Sequence, residues 1–255
     1  MMIFKLIDAI ILNMLKENEK FESLDYKGLE IIQSKNGYRF TSDAVLLANT
    51  VKALPGQRAV DLGTGSGIIA ILIAAKTQVK EVIGVEIQKR LADMAKRSVE
   101  HNNLSSKIKI INKPLQGIYK ELGNNFDIVV CNPPYQTLTS KKDNPDEEDI
   151  CRYEYAVTLK EIMECAQKLL KFGGNFYIIN KAKRLSEMIY FMKEHKIEPK
   201  KITLIQPKPD KSIDTVIVEG KKGAKSSLVI PKPLVVYNED GTFTDEVKRM
   251  YGIEG

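Results

Sequence analysis

The chain has 255 residues, of which 43% are hydrophobic and 28% charged, and its formal net charge is +6. This length and composition suit one globular α/β domain, with or without a small extension, and exclude a fibrous or low-complexity chain. Three cysteines without a C-x-x-C pair, together with two histidines, predict free thiols in a reducing compartment and no metal site.

The chain begins with an apolar stretch, residues 3–15, that Asp8 and Asn13 interrupt. It is too short to cross a bilayer and has no small-residue cleavage site, so it predicts an amphipathic helix that packs on the domain. We therefore expect a cytoplasmic protein with no membrane partner. Residues 1–54 are predicted to form an N-terminal extension and cap region, and residues 55–255 the main α/β domain, both within one compact unit.

From residue 58 onwards, short apolar stretches alternate with amphipathic ones. The spacing predicts helices at 68–76, 88–102, 158–171 and 185–195, and strands at 58–62, 81–86, 107–112, 126–131, 175–180, 201–205 and 213–219. Gly173 and Gly174 are expected to end the third of these helices. Alternating strands and helices indicate a mostly parallel sheet with helices on both faces.

The first predicted strand ends in the sequence DLGTGSG, residues 61–67. Its glycines allow a tight turn and let the backbone approach a ligand where a Cβ would clash. The spacing is G-x-G-x-G, whereas a dinucleotide fingerprint needs its last glycine at the position of Ile68. The absence of a G-K-[ST] sequence excludes a P-loop. Glycine-rich turns are common, so this loop predicts a ligand site only in combination with the residues around it.

Two carboxylates accompany this loop, Asp61 at the end of the first strand and Glu86 at the end of the second. A carboxylate at the second position can accept hydrogen bonds from both ribose hydroxyls of a nucleoside. Asp61 can accept from an ammonium group, directly or through water. Together they indicate an adenosine cofactor with an amino-acid tail and no pyrophosphate, which describes S-adenosylmethionine. In the alternative interpretation, Asp61 only caps the loop and Glu86 is exposed.

The fourth predicted strand ends in CNPPYQ, residues 131–136, which we call the elbow. Its prolines cannot continue a ladder and fix φ, so the Asn132 side-chain oxygen and the Pro133 carbonyl become a rigid pair of acceptors. Such a pair can hold both hydrogens of a conjugated NH₂ group and stabilise the charge that develops as its nitrogen attacks a methyl sulfonium. Tyr135 offers a flat face for stacking a planar group. We therefore assign catalytic roles to Asn132, Pro133, Pro134 and Tyr135.

A polar stretch without hydrophobic periodicity, residues 140–149, follows the elbow. It predicts a loop beside the site, which is either an ordinary surface insertion or a cover over the substrate.

Positive charge is concentrated in the C-terminal third of the chain. Between Lys168 and Lys232 there are 15 Lys/Arg against 6 Asp/Glu, a net +9, so the remainder of the chain carries −3. Such a segment is either a solvated lysine-rich surface or a surface that faces phosphates. The second interpretation favours a nucleic-acid partner.

These motifs resemble the class I S-adenosylmethionine-dependent methyltransferases that modify amino groups. More narrowly, the chain resembles the bacterial tRNA adenine N6-methyltransferases that act on the adenine just 3′ of the anticodon in a valine tRNA. The narrower resemblance covers residue 21 to the C-terminus and rests on residues 31–48, CNPPY, the pair Arg152 and Glu154, and residues 216–237.

The resemblance implies a Rossmann-like sheet of seven strands whose last strand, residues 213–219, runs antiparallel. It places residues 40–43 near the methionine part of the cofactor, where the residues alone predict only a helix start. The cofactor is expected to contact Thr41, Asp43, Asp61, Gly63, Thr64, Gly65, Gly67, Glu86, Ile87, Leu115 and Asn132. The substrate is expected to contact Tyr135, Arg152, Lys181 and Arg184. The product of the cofactor would be S-adenosylhomocysteine.

The chain departs from this family after the third strand. Many relatives carry an acidic residue there, close to the cofactor adenine, whereas this chain has Asn112-Lys113-Pro114-Leu115. Backbone groups and Leu115 are expected to contact the adenine instead.

Other functions share part of this pattern. N5-methylation of a protein glutamine, as in release-factor methylases, uses the same elbow, but those enzymes usually carry a separate helical domain before the glycine loop. A ribosomal RNA or DNA amine is a further possible target. A non-catalytic RNA-binding protein would usually have lost the elbow or the acid after the second strand, and a nicotinamide dehydrogenase has a different glycine spacing. We expect methylation of a tRNA adenine.

Overall fold

A computed structural model of the chain describes residues 14–35, 42–137 and 147–253. The helices are α1 (Ser42–Thr50), α2 (Ile68–Lys76), α3 (Lys89–His101), α4 (Tyr119–Leu122), α5 (Glu147–Arg152), α6 (Leu159–Leu169), α7 (Leu185–Glu194) and α8 (Asp245–Tyr251). The strands are β1 (Glu19–Ser23), β2 (Glu30–Ser34), β3 (Arg58–Leu62), β4 (Glu81–Glu86), β5 (Ile108–Asn112), β6 (Phe126–Cys131), β7 (Leu170–Lys181), β8 (Ile197–Gln206), β9 (Thr215–Lys222) and β10 (Leu234–Val235).

The main sheet has the strand order β10-β8-β9-β7-β6-β3-β4-β5. Strands β5, β4, β3, β6 and β7 are parallel, and β9 lies antiparallel between β7 and β8. The predicted α/β fold with a mostly parallel sheet is therefore confirmed, including the antiparallel last strand. The two-residue strand β10 adds an eighth strand that pairs parallel with β8.

Both faces of the sheet are covered, because the inner strands carry apolar residues on each side. Ala59 and Ile128 belong to the core on the α1 and α2 face, whereas Val60 and Val129 belong to the core on the α6 and α7 face. Strands buried on both faces are expected in a parallel sheet. Their carboxyl ends meet at one edge, which positions the site.

The structure corrects two sequence predictions. Helix α6 ends at Leu169, and Gly173 and Gly174 lie inside β7 instead of ending a helix. The register shifts here between Phe126 and Ile128, and a Cβ on Gly174 would approach the Phe126 carbonyl oxygen to 3.0 Å. The glycines thus permit an irregularity in the strand. In the sequence, a glycine pair of this kind looks the same as one that ends a helix.

The predicted polar loop at residues 140–149 is also shorter than expected, because helix α5 begins at Glu147. Its residues 140–146, and with them the suggestion of a cover over the substrate, lie outside the described residues. Residues 3–13 of the predicted N-terminal helix lie outside them as well. Among the described residues, no helix is both long and apolar enough to span a membrane.

A hairpin of β1 and β2, which the sequence did not predict, packs on α3. Arg97 forms an ion pair of 2.6 Å with Glu19, and the Ile32 amide donates to the Ser98 Oγ at 2.9 Å. Ser98 is fully buried and its hydroxyl donates in turn to the Met94 carbonyl at 2.8 Å. The hairpin is therefore attached to the main sheet through α3. The division at residues 54 and 55 stays a prediction.

The Ser98 contact gives a stability prediction. Ser98→Ala leaves the buried Ile32 amide without an acceptor, which should lower the free energy of unfolding by about 1–3 kcal/mol. Ser105→Ala, at an exposed turn position, is the matched control and should stay within about 0.5 kcal/mol of wild type. Urea denaturation measures both, and equal stability of the two variants would contradict the proposed attachment of the hairpin.

Candidate active site

A pocket lies where the carboxyl ends of β3, β4 and β6 meet, the place where doubly wound sheets bind ligands. It brings together residues that the sequence predicts as functional: Gly63, Thr64, Gly65, Glu86, Ile87, Leu115, Asn132, Pro133 and Pro134. Thr41 lies outside the described residues. The other predicted residues do not line this pocket and are described below: Asp43, Asp61, Gly67, Tyr135, Arg152, Lys181 and Arg184.

The glycine loop has two structural roles. Gly63, Gly65 and Gly67 have φ of +72°, +56° and +93°, values that side-chain-bearing residues rarely adopt. A Cβ on Gly63 or Gly65 would meet no atom within 4 Å, so the loop is open to a ligand there. A Cβ on Gly67 would instead approach the Ala95 Cβ to 3.2 Å. Gly67 therefore lets α2 pack closely on α3, and its predicted contact with the cofactor stays a prediction.

Asp61 is fully buried at the end of β3. The Thr64 hydroxyl donates to its Oδ2 at 2.5 Å, but its Oδ1 is buried with no hydrogen-bond partner among the described residues. Burial raises the pKa of Asp61 to about 7, the Thr64 hydroxyl and the Ala70 backbone amide oppose this rise, and the nearby Glu86 charge adds to it. Asp61 is thus a buried carboxylate whose Oδ1 has no partner within hydrogen-bond distance among the described residues.

Glu86 is buried at the end of β4, so the alternative of an exposed side chain is wrong. Its Oε2 accepts from the Gly65 amide at 2.9 Å, and its Oε1 accepts from the Gln88 amide at 2.8 Å. Burial raises its pKa, and these amide hydrogen bonds act against the rise. The Ile87 amide also contributes to this effect on the pKa. A carboxylate can accept about four hydrogen bonds, so Glu86 retains the capacity to bind a ribose hydroxyl.

The residue that departs from the family pattern has a structural role. The Asn112 side-chain amide donates to the carbonyl oxygens of Glu86 at 2.8 Å and Ile87 at 2.9 Å. It therefore fixes the backbone just after β4. Leu115 is buried in the pocket wall, and Gln116 beside it donates to the Ala156 carbonyl at 2.9 Å. An apolar side chain and an amide side chain thus line this part of the pocket.

The elbow positions Asn132 and Tyr135 relative to Asp43. The Tyr135 hydroxyl donates to the Asp43 Oδ2 at 2.7 Å and lies 3.0 Å from the Asn132 Oδ1. A hydroxyl has one hydrogen, so it serves one of these oxygens at a time. Lys181 at the end of β7 places its Nζ 5.3 Å from the centre of the Tyr135 ring. Asp43, Asn132, Tyr135 and Lys181 therefore form one group beside the pocket.

Helix α5 forms a wall of the pocket that the sequence did not predict. Ile150 and Cys151 line the pocket, and the Gln88 side-chain amide lies 3.3 Å from the Cys151 Sγ. After the helix, the Gln136 amide donates to the Arg152 carbonyl at 3.0 Å, so the elbow is tied to the end of α5. The sequence signal for this wall was weak, because it consisted of Ile150 and Cys151 next to charged residues.

The structure places Arg184 inside the protein. Its guanidinium is buried and forms ion pairs of 2.7 Å with Glu154 and of 2.7 Å with Glu187. Glu154 also accepts from the Leu159 amide at 3.2 Å, at the start of α6. These contacts hold the segment after α5 in place. The predicted substrate contacts of Arg152 and Arg184 stay predictions.

The donors and acceptors of the pocket fit S-adenosylmethionine. The open turn at Gly63 and Gly65 admits close approach, and Glu86 suits ribose hydroxyls. Asp61 does not line the pocket, and its contact with the ammonium group stays a prediction. Among the described residues, no group of three or more His, Cys, Asp or Glu side chains could hold a metal ion.

Fold and site together define an α/β protein that binds a nucleoside ligand at its strand ends. Residues 38–195 match the family described as the methyltransferase small domain, and the chain belongs to that family. It is similar to two proteins named tRNA1(Val) (adenine(37)-N6)-methyltransferase. The one from Flavobacterium johnsoniae is 24% identical over 87% of this chain and 94% of the relative. The one from Yersinia pestis is 28% identical over 60% of this chain and 62% of the relative.

Solved structures agree on the fold. A protein of Agrobacterium tumefaciens described as a predicted O-methyltransferase has a TM-score of 0.68 at 23% identity, covering 82% of this chain and 95% of that chain. The M. capricolum TrmK structure, which contains S-adenosylhomocysteine, has a TM-score of 0.52 at 14% identity, covering 74% of this chain and 72% of that chain. Both confirm the architecture of the sheet.

The buried Asp61 gives a prediction for pH dependence. Folding raises its pKa to about 7, so the protonated form is favoured in the folded protein and stability is lost as pH rises from about 4 to about 7. Asp61→Asn removes this ionisation. Without cofactor, the variant should therefore have a higher Tm than wild type at pH 8, and the difference should shrink towards pH 5.

The same substitution should weaken binding of S-adenosylmethionine at pH 8 by about tenfold or more, because a charged partner of its ammonium group is lost. Asp210→Asn, at an exposed aspartate, should change neither the Tm nor the affinity. Calorimetry measures both quantities. Wild-type affinity of Asp61→Asn, or a lower Tm at pH 8, would show that Asp61 does not play this part.

Proposed function

We propose that this chain transfers a methyl group from S-adenosylmethionine to the exocyclic N6 amine of an adenine in tRNA, at the position just 3′ of the anticodon. The names of the relatives, which specify adenine 37, support this substrate. The observation that carries the proposal is the elbow, where a rigid pair of acceptors opens on the cofactor pocket beside Tyr135 and Lys181.

When bound, S-adenosylmethionine supplies an electrophilic methyl group on a sulfonium sulfur. The Asn132 Oδ1 and the Pro133 carbonyl accept the two hydrogens of the adenine amine and favour a pyramidal nitrogen whose lone pair is available. They stabilise the positive charge that grows on this nitrogen during transfer. Because the methylated ammonium is acidic, its extra proton leaves to water afterwards, and no general base has to act first.

Tyr135 contributes to this arrangement through its hydroxyl and through its ring. Its hydroxyl lies 2.7 Å from the Asp43 Oδ2 and 3.0 Å from the Asn132 Oδ1, and this close packing limits the rotation of the Asn132 side chain. Its ring offers a face on which the adenine can stack after leaving the helical stack of the RNA. Lys181, 5.3 Å from that ring, supplies a cation close to the phosphates that flank the extruded base.

A glutamine amide of a protein is a planar NH₂ group as well, so the elbow alone does not separate the two substrates. The basic C-terminal third, with 15 Lys/Arg against 6 Asp/Glu, favours a polyanion over a protein loop. The names of the relatives point the same way.

The substrate is tested by incubating the purified protein with labelled S-adenosylmethionine and with total tRNA from a strain that lacks the gene. Digestion to nucleosides and mass spectrometry should find N6-methyladenosine in one tRNA, at the position after the anticodon. Label in a protein or in ribosomal RNA, with none in tRNA, would overturn the proposed substrate and keep the amine chemistry. Absence of label in all of them would overturn the proposed activity.

Asn132→Ala removes one acceptor of the proposed clamp. Methyl transfer should slow by about 100-fold or more, while binding of S-adenosylmethionine stays close to wild type. Asn132→Asp keeps an oxygen at the same place and should retain clearly more activity than the alanine variant. Single-turnover rates at saturating cofactor measure the difference, and a normal rate for Asn132→Ala would rule out the clamp.

A further inference from the structure

The segment at residues 223–233, here called the strap, leaves the end of β9 and runs along the outer edge of β8. The Val229 amide donates to the Lys200 carbonyl at 3.0 Å, and the Ile202 amide donates to the Val229 carbonyl at 3.0 Å. The Lys200 Nζ also donates to the Lys225 carbonyl at 3.0 Å. These bonds hold the strap in a defined position on the sheet.

The strap and its flanks carry positive charge without acidic neighbours in sequence. Residues 220–238 contain four lysines and no Asp or Glu. Lys222 is occupied, because its ammonium donates to the Gln167 carbonyl at 2.5 Å and the Leu170 carbonyl at 2.6 Å. Lys221, Lys225 and Lys232 are exposed and have no ion pair with a carboxylate among the described residues.

At the pocket edge of the same region, two lysines are paired with a carboxylate, whereas Lys183 and Lys208 have no such ion pair among the described residues. Lys181 pairs with Asp214 at 2.6 Å, and Lys211 pairs with Asp210 at 3.3 Å. Lys221 and Lys225 therefore add unpaired positive charge at the end of the sheet opposite the pocket, and Lys232 continues it along the strap towards the Gln206 end of β8. Such a surface attracts a polyanion.

The strap also exposes apolar groups between its lysines. Leu228, Val229 and Ile230 are 45%, 59% and 56% exposed, and Phe172, at 80%, is the most exposed of the large hydrophobic side chains in the described residues. Phe172 lies against Gly223, where a Cβ would collide with its ring. Apolar and aromatic side chains set among unpaired cations suit the bases and riboses of RNA as well as its phosphates.

The position of the strap relative to the pocket indicates how large the RNA must be. Strand β9 is antiparallel to both β7 and β8, so β8 runs in the same direction as β7. The Gln206 end of β8 therefore lies at the pocket edge of the sheet, and its Ile197 end lies at the opposite edge. At about 3.3 Å per residue, this strand spans roughly 30 Å. An RNA that reaches both the pocket and Lys225 must extend about that far from its reacting base.

We propose that the strap is a second RNA-contacting surface, which binds the body of a folded tRNA while the adenine occupies the pocket. This inference rests on the proposed function and adds a consequence to it. A full-length tRNA should bind more tightly than its isolated anticodon stem-loop, and Lys221 in β9 together with Lys225 and Lys232 in the strap should account for the difference.

The test compares two triple variants of equal charge. One replaces Lys221, Lys225 and Lys232 with alanine. The matched control replaces Lys80, Lys96 and Lys109, which are exposed, lie towards the other side of the sheet and also have no ion pair with a carboxylate among the described residues. The affinity for full-length tRNA and for the stem-loop is measured across a range of salt concentrations, and S-adenosylmethionine binding confirms that each variant is folded.

The strap variant should bind full-length tRNA about tenfold more weakly or worse, and the slope of log affinity against log salt should flatten by about 2 to 3. Its affinity for the stem-loop and its transfer rate at saturating tRNA should match wild type, as should every property of the control.

Equal losses in both variants, or an unchanged slope in the strap variant, would overturn the inference. An unchanged slope with normal tRNA methylation would overturn the inference and leave the proposed function intact. A wild-type protein that methylates no RNA would overturn both.

Discussion

The site depends on a carboxylate that the fold buries and leaves incompletely satisfied. Parallel pairing of β3, β4 and β6 brings Asp61, Glu86 and Asn132 to one edge of the sheet. Burial raises the pKa of Asp61 to about 7, and Thr64 satisfies only one of its oxygens. A group in this state costs stability in the free protein and gains a partner when a cation binds. We propose that the ammonium group of S-adenosylmethionine is that cation.

The remaining parts of the site are rigid in ways that suit this role. Glu86 is held by two backbone amides, and the elbow is fixed by its prolines and by the bond from Gln136 to the end of α5. The acceptors proposed for the amine are therefore on a fixed backbone before substrate arrives, which would leave little reorganisation for the transfer step. Recognition of the RNA body is assigned to a separate surface, the strap, where charges stay solvated and unpaired.

Much of this architecture follows from local sequence. The strands β3, β4 and β6 have the predicted bounds, because short apolar runs between turn residues leave few alternatives. The hairpin of β1 and β2 was missed because its position depends on Ser98 and Arg97, which are distant in sequence. Gly173 and Gly174 misled the prediction, since a glycine pair that ends a helix and one that permits a bulge look alike. In the site, the glycine loop, Glu86 and the elbow could be predicted from motifs, whereas the α5 wall and the burial of Arg184 arise only from tertiary packing.

The most direct measurement is the titration of the Asp61 carboxyl by ¹³C nuclear magnetic resonance, with and without S-adenosylmethionine. The resonance is assigned as the one absent from Asp61→Asn. In the free protein it should titrate near pH 7, and with saturating cofactor it should stay ionised down to well below pH 6. An ordinary aspartate titration in the free protein, or no change when the cofactor binds, would contradict the account of a carboxylate completed by its ligand.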